Sequence, residues 1–254
     1  MPRLSVITLT FNEERNIAEC LSSVQWADEL VVVDSGSTDR TVEIAQSFTQ
    51  HIMNVEWKGY GATRNLALAR CTGEWVLWLD ADERVTPELA TEIQQCIQRD
   101  DQQVAAYTVA RRAYFLGRWI KHCGWYPSRT PRLFRREKGR FTESNVHEQL
   151  RVDGTWRELR HDLLHYTDPD LQHYFVKFNR YTSLAAQDMH SAGRKPRLSD
   201  LLVRPPFQFC KMYLVRLGFL DGLEGLILCV VSSAYVFVKY AKLWEIARKE
   251  ARSK

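Results

Sequence analysis

Trp75-Val76-Leu77-Trp78-Leu79-Asp80-Ala81-Asp82-Glu83 is an apolar run that ends abruptly in acids. A short continuous apolar run reads as a strand buried on both faces, and such strands belong to parallel sheets covered by helices. In extended chain residues i and i+2 point the same way, so the carboxylates of Asp80 and Asp82 can face one cation at the strand's carboxyl end. Oxygen ligands suit a hard divalent ion, and Mg2+ or Mn2+ held by one or two carboxylates keeps positions open for phosphates. Taken alone, the same Asp-x-Asp is also what a solvated turn contains.

Working outward, the first half alternates strand-like and helix-like segments. Residues 4–9 read as strand, 13–24 as helix, 30–33 as strand and 41–48 as helix; residues 51–55 form a further strand and 61–69 a helix before the quoted run. Thr86 as N-cap, Pro87 as first helical residue and Glu88 in the first turn open a helix to about Arg99, and residues 104–109 return as strand. This alternation predicts βαβ units, an α/β fold with a mainly parallel central sheet flanked by helices, and ligands at the carboxyl ends of the strands.

Polar residues gather at those ends. Val33-Asp34-Ser35-Gly36-Ser37-Thr38-Asp39 places acids and small residues after one strand, where carboxylates accept from base or ribose donors and a flat ligand can approach the backbone. Ser37, Thr38 and Asp39 equally satisfy a helix N-cap. Thr8, Thr10, Asn12 and Glu13 follow the first strand, and Gly61-Ala62-Thr63-Arg64-Asn65 opens a helix. Gly59-Tyr60-Gly61-Ala62-Thr63-Arg64 begins like a dinucleotide fingerprint, but Arg64 stands where the third glycine belongs, so no nicotinamide site is expected.

These segments together resemble the inverting glycosyltransferases of family 2, with the GT-A fold. Ser5-Val6-Ile7-Thr8-Leu9-Thr10-Phe11-Asn12-Glu13, the Asp34 to Asp39 loop, Gly61 to Asn65 and Leu79-Asp80-Ala81-Asp82 carry the resemblance, in order, over roughly the first 110 residues. Asn145-Val146-His147-Glu148, Leu164-His165-Tyr166 and Gly218-Phe219-Leu220-Asp221-Gly222 look like the subgroup of lipopolysaccharide-core β-glucosyltransferases, which add glucose to an inner-core heptose.

That resemblance implies a nucleotide-sugar site of Thr8, Thr10, Asn12, Glu13, Asp34, Ser37, Asp39, Gly61, Arg64 and Asp80, with Asp34 and Asp39 on uracil and ribose. It implies a divalent cation, Mg2+ or Mn2+, on Asp82. An inverting transfer needs one base to take the acceptor's proton, and Glu148 is the candidate. His147 and His165 compete for a further role; His165 is preferred as metal ligand because it follows apolar Leu163-Leu164, while either is equally readable as structural. His161 and His165 have zinc-like i, i+4 spacing, but no third ligand is suitably spaced nearby.

Trp125, Arg129, Arg132 and His147 are the expected acceptor contacts, since guanidinium forks hold phosphates and aromatic faces stack on sugars. Core packing explains the aromatics equally well. From Arg111 to Arg140 there are ten Lys or Arg against Glu137 alone, and from Lys239 to Lys254 six against two acids. Both runs read as attraction to phosphate or as solvated faces. A nucleic-acid partner is not expected, because acidic strand ends would repel phosphate without a metal.

Six separated cysteines without a C-x-x-C pair suggest a reducing compartment. The N-terminal apolar run is strand-like and shows no signal cleavage pattern. Residues 225–238 carry no charge, short of the about 20 needed to span a bilayer. With the aromatic and basic residues around them they read as a monotopic amphipathic hairpin on the cytoplasmic leaflet of the inner membrane, or as a buried helical cap. The expected organisation is a nucleotide-sugar-binding half (1–110), an acceptor-binding and catalytic half (111–200) and a C-terminal helical, membrane-associating extension (201–254). The expected partners are a nucleotide-sugar donor, a lipid-linked phosphorylated saccharide and the membrane surface. A polyprenyl-phosphate transferase and a non-catalytic sugar-nucleotide scaffold are the competing readings.

Overall fold

The computed structural model describes residues 3–57, 59–142 and 149–253. Two compact units emerge: Met1–Arg112 with Ser128–His165, and Ala113–Pro127 with Tyr166–Lys254.

In the first unit, β1 (Leu4–Thr10), β2 (Glu29–Asp34), β3 (Ile52–Asn54) and β4 (Trp75–Asp80) form a parallel sheet in the order β3-β2-β1-β4. Period-two alternation divides their side chains between two cores: Leu4, Val6, Trp75, Leu77 and Leu79 pack on one face, while Ile7, Val76 and Trp78 pack on the other. The connections are α1 (Ile17–Ser22), α2 (Thr41–Gln46) and α3 (Tyr60–Leu68). Next come β5 (Glu83–Val85) and α4 (Pro87–Arg99), then β6 (Val104–Phe115), which outlasts the expected strand by six residues. α4 begins and ends as expected: the Thr86 hydroxyl accepts from the Leu89 N–H at 3.2 Å, and Leu89, Ile93 and Ile97 form its buried stripe.

α1 is shorter than the expected 13–24. Asn12 takes a positive φ of 55°, and the next residues bind the loop after β2 in place of propagating a helix. The Glu13 N–H donates to Thr41 Oγ1 at 2.8 Å and the Glu14 N–H to Asp39 Oδ2 at 3.2 Å.

The remaining strands are β7 (Arg118–Trp119), β8 (Ser128–Arg135), β9 (Gly139–Phe141), β10 (Leu150–Val152), β11 (Thr155–Glu158) and β12 (Leu163–Asp168). β8 joins β4 and β6 antiparallel, and β12 joins β5 antiparallel with His165 opposite Glu83. The sheet is thus parallel in the βαβ half and mixed beyond β4, where β8, β7 and β12 pair antiparallel and β11 joins β6 in parallel.

The second unit is helical: α5 (Leu171–Ser191), α6 (Leu198–Leu202), α7 (Arg204–Cys210), a π-helical turn (Lys211–Val215), a 3-10 turn (Gly218–Asp221) and α8 (Gly222–Ser253). Phe115, Ile120, Cys123, Met212, Leu228 and Cys229 form its core. Buried Asp221 accepts from the Lys121 and His122 N–H groups at 3.1 and 2.8 Å. A Cβ on Gly225 would lie 2.2 Å from the Gly218 carbonyl oxygen, so only glycine lets the first turn of α8 approach that backbone.

One expectation needs correction. The charge-free stretch 225–238 is only part of α8, because Lys239 and Lys242 continue the helix. The segment Gly218–Arg252 is long and apolar enough to cross a membrane by length and composition, and 22% of its most apolar window is buried.

Candidate active site

The register of the three central strands builds the site. β1 lies between β2 and β4, with Thr10 paired to Asp34 and Leu9 to Asp80, so both acids end on the same edge of the parallel sheet. The loops that follow are locked together. Asp34, buried, accepts from the Gly36 and Ser37 N–H groups at 2.9 Å each and from the Ser37 hydroxyl. Ser37 Oγ accepts from the Asn12 N–H at 2.8 Å, and Asn12 Oδ1 from the Thr38 N–H at 2.8 Å.

Gly36 supplies the loop's positive φ of 97°. Asp39 accepts from the side chain and N–H of Thr41. Burial pushes its carboxyl up, but these bonds and the Glu14 N–H outweigh it and hold it below the usual carboxylate range. Thr10 Oγ1 is buried with no hydrogen-bonding partner among the described residues. A polar ligand beside Asp34 would satisfy it, as buried hydroxyls require.

At the end of β4 the two acids of the Asp-x-Asp take different partners. Asp80 accepts from Trp78 Nε1 at 2.9 Å and pairs with Arg132 Nη2, while Arg64 Nη2 stands 3.7 Å from its other oxygen. Burial pushes the Asp80 carboxyl up, yet Arg132 and then Arg64 hold it far below its ordinary value. Arg64 also stacks over the Trp78 ring at 4.3 Å. Gly61, buried in the first turn of the same helix, belongs to this side of the sheet.

Asp82 instead meets His165, Nε2 to Oδ2 at 3.3 Å. Burial pulls the imidazole pKa down, but Asp82 and Glu83 outweigh this and raise it. The β5–β12 ladder explains the meeting, since His165 lies opposite Glu83, next in chain to Asp82.

A carboxylate oxygen and an imidazole nitrogen at that separation fit two ligands of one divalent ion, whose bonds of about 2.1 Å put adjacent donors about 3 Å apart. No group of three or more His, Cys, Asp or Glu side chains converges among the described residues. An ion on this pair would keep positions open for substrate oxygens, which suits a diphosphate. Asp80, expected as a sugar or ribose contact and not as the main metal ligand, has Trp78, Arg132 and Arg64 around its oxygens.

Arg132, expected on the acceptor side, contacts the acids at the end of β4. It is buried, and its guanidinium bridges Asp80 and Glu83. Glu83 escaped the sequence reading although it ends the quoted run. It is fully buried, accepts from the Asp80 N–H at 3.0 Å, and Arg111 stands 3.8 Å away. Burial pushes its carboxyl up and Arg132 only partly offsets this. The run of ten cations from Arg111 onward thus serves in part to neutralise interior acids.

Arg129 donates to the Leu159 carbonyl at 3.1 Å and pairs with Glu158. Trp125 belongs to the helical unit, edge-on to Phe115. Glu148 and His147 lie outside the described residues. His161 Nδ1 bonds Glu92 at 2.9 Å. All six cysteines are free; Cys20, Cys71, Cys123 and Cys229 are buried, and burial pushes the Cys71 thiol up to about 12.

Comparison with known proteins identifies the family. The family model of Glycosyl transferase family 2 matches residues 5–152. The chain is 31% identical to the lipopolysaccharide core biosynthesis glycosyltransferase LpsC of Rhizobium meliloti (strain 1021), over 98% of this chain and 94% of that one. It is 28% identical to an uncharacterized glycosyltransferase of Rickettsia typhi (strain ATCC VR-144 / Wilmington), over 98% and 89%. Among solved structures, the mannosyltransferase PcManGT from Pyrobaculum calidifontis, in complex with GDP-Man and Mn2+, shares the fold with a TM-score of 0.56 and 19% identity, over 95% of this chain and 87% of that one. The family match spans more than half of the chain and includes every strand end that builds the site up to β8, so this chain belongs to glycosyltransferase family 2.

Proposed function

We propose that this glycosyltransferase moves a hexose, glucose from UDP-glucose, with inversion onto an inner-core heptose of lipopolysaccharide, at the cytoplasmic surface of the inner membrane. The observation that carries the reading is the edge where β1, β2 and β4 end together, with Asp34, Asp80, Asp82 and an unsatisfied Thr10 hydroxyl gathered on one unit. The 31% identity to LpsC supports the lipopolysaccharide acceptor.

In this reading Thr8, Thr10, Asn12, Glu13, Asp34, Ser37, Asp39 and Gly61 receive the nucleoside, and Arg64 and Asp80 receive the ribose and sugar. Asp82 and His165 hold the divalent cation, which when bound neutralises charge on the leaving diphosphate. Arg132 and Arg64 keep Asp80 ionised, and Glu83 holds its backbone N–H. Glu148 takes the proton of the acceptor hydroxyl as that oxygen attacks the anomeric carbon from the face opposite the diphosphate. Trp125, Arg129 and His147 contact the acceptor.

The amphipathic helices place the enzyme on anionic lipid, with Phe207, Leu214 and Val215 exposed beside basic residues. A polyprenyl-phosphate acceptor is the second reading, favoured by the length of α8, which is compatible with crossing a bilayer.

Calorimetric titration with UDP, GDP and CDP, with and without Mn2+, tests the donor. Mn2+-dependent binding selective for UDP is expected, and no nucleotide binding by folded protein would sink the transferase reading. Glu148→Gln should keep UDP affinity and lose transfer by about 10²–10⁴-fold; normal transfer would refute its assignment as base.

A further inference from the structure

The helical unit contains a cavity of about 780 Å³ that the donor chemistry does not use. Its lining comes from the turn after β7, where Cys123 and Gly124 both adopt positive φ (57° and 79°), from α5, from α7 with the π-helical turn, and from α8. A π-helical turn inserts a residue and re-aims the side chains around it, and such turns recur at functional sites. Here it brings Lys211 to the cavity, with Arg216 immediately after the turn.

The charge of this lining is one-sided. Lys211, Arg216 and Lys239 contribute to it and no carboxylate does. None of the three forms an ion pair with a carboxylate among the described residues. Several other cations of the same unit are paired: Arg118 with Glu224, Arg194 and Arg204 with Asp200, Lys249 with Glu245. Lys239 is half-buried, with its Nζ 5.7 Å from the Tyr235 ring centre and 5.2 Å from that of Tyr240. Burial pulls its ammonium pKa down, and Arg194 and Arg204 add to this. A desolvated cation among like charges gains most from an anion.

The rest of the lining suits a ring. Trp125 and Tyr126 present aromatic surface, which packs against the C–H face of a pyranose, and Gln208 and Ser232 add neutral hydrogen-bonding groups. The flanking residues Phe207, Leu214 and Val215 are exposed, 66%, 57% and 74%. A polar, cationic cavity bordered by exposed apolar side chains matches an amphiphile whose headgroup is a phosphorylated sugar.

We propose that this cavity is a binding site for a phosphorylated pyranose, with Lys211, Arg216 and Lys239 holding the phosphate and Trp125 and Tyr126 the ring. The inference deepens the acceptor side of the proposed reaction and rests on it for the attachment of that sugar to a lipid. It moves recognition of acceptor phosphate from Arg132, which is committed to Asp80 and Glu83, to the helical unit.

The test is calorimetry on the full-length protein with mannose 6-phosphate, mannose and inorganic phosphate, alongside UDP with Mn2+. Mannose 6-phosphate should bind more tightly than inorganic phosphate, and mannose hardly at all. Lys211→Gln and Arg216→Gln should each weaken mannose 6-phosphate by about tenfold, the loss of one charge-assisted contact. Both side chains are exposed, so the fold should tolerate the changes, and an unchanged helical circular-dichroism signal and thermal midpoint verify this. Tyr126→Ser should weaken mannose 6-phosphate and leave inorganic phosphate unaffected.

Unchanged sugar-phosphate affinity in the triple variant Lys211→Gln, Arg216→Gln, Lys239→Gln would overturn the proposal. So would inorganic phosphate binding as tightly as the sugar phosphate. UDP binding without mannose 6-phosphate binding would remove the cavity's role and leave the transferase reading standing. The reverse pattern would keep the cavity and remove the donor site.

Discussion

Arg132 carries more of the site than any single acid. It is the shared counter-charge of Asp80 and Glu83, and removing one partner of a buried ionic cluster leaves charge without compensation. Arg132→Met is expected to destabilise the first unit by about 3–5 kcal/mol, read as a lowered urea midpoint at unchanged slope. Glu83→Gln should cost less, because burial already favours the protonated form of that side chain. Asp82 differs in kind, since its ion-pair partner is His165. Asp82→Ala should lower Mn2+-dependent hydrolysis of the donor by more than about a hundredfold while the urea midpoint stays close to wild type. A large midpoint shift would mean that Asp82 is structural. At this scale the acids themselves were legible, because strand ends in a parallel sheet are where ligands bind. Their partners were not: Arg132 lies 52 residues from Asp80 in the chain, and nothing local marks it as interior.

Among the elements, α4 shows how much local chemistry decides. Thr86, Pro87 and the Leu89, Ile93, Ile97 stripe define its start and its buried face, and the structure keeps both. Its Glu92 does something the stripe does not reveal. The carboxylate receives the Arg160 and His161 N–H groups at 2.9–3.0 Å and bonds the His161 ring, pinning the approach to β12 and so to His165. Burial pushes the Glu92 carboxyl up, but those donors outweigh it and lower it. A carboxyl with a lowered folded pKa adds stability that is full above its unfolded value, about 4.3, and lost as pH falls through the folded one. Glu92→Gln should therefore flatten the fall in stability between about pH 5 and pH 3, measured by urea unfolding at each pH. An unchanged profile would show that the clamp is not energetically coupled to folding. α1 teaches the opposite lesson: residues 13–16 have helical pattern, but the Glu13 and Glu14 N–H groups are taken by the neighbouring loop, which no one-dimensional period records.

For the whole molecule, the helical unit is assembled from two separate stretches, and buried Asp221 ties the turn at Lys121 and His122 to the start of α8. Gly225→Ala would force a methyl into the Gly218 carbonyl; a loss of about 1–3 kcal/mol, or failure to fold, is expected on thermal unfolding. Exposed Phe207, Leu214 and Val215 form a surface that water does not favour. Changing all three to Ser should reduce sedimentation with anionic vesicles by more than about tenfold, the worth of a few buried apolar side chains, without altering donor hydrolysis. Undiminished sedimentation would place the lipid contact elsewhere. The sequence alone determined the parallel half of the fold and the acids at its edge, because burial on both faces writes itself as continuous apolar runs and turns write themselves as small polar residues. Only the tertiary structure decided that Asp80 is paired with arginines, that Asp82 meets His165, and that three cations share an aromatic cavity, because such contacts join residues far apart in the chain whose spacing carries no periodic signal.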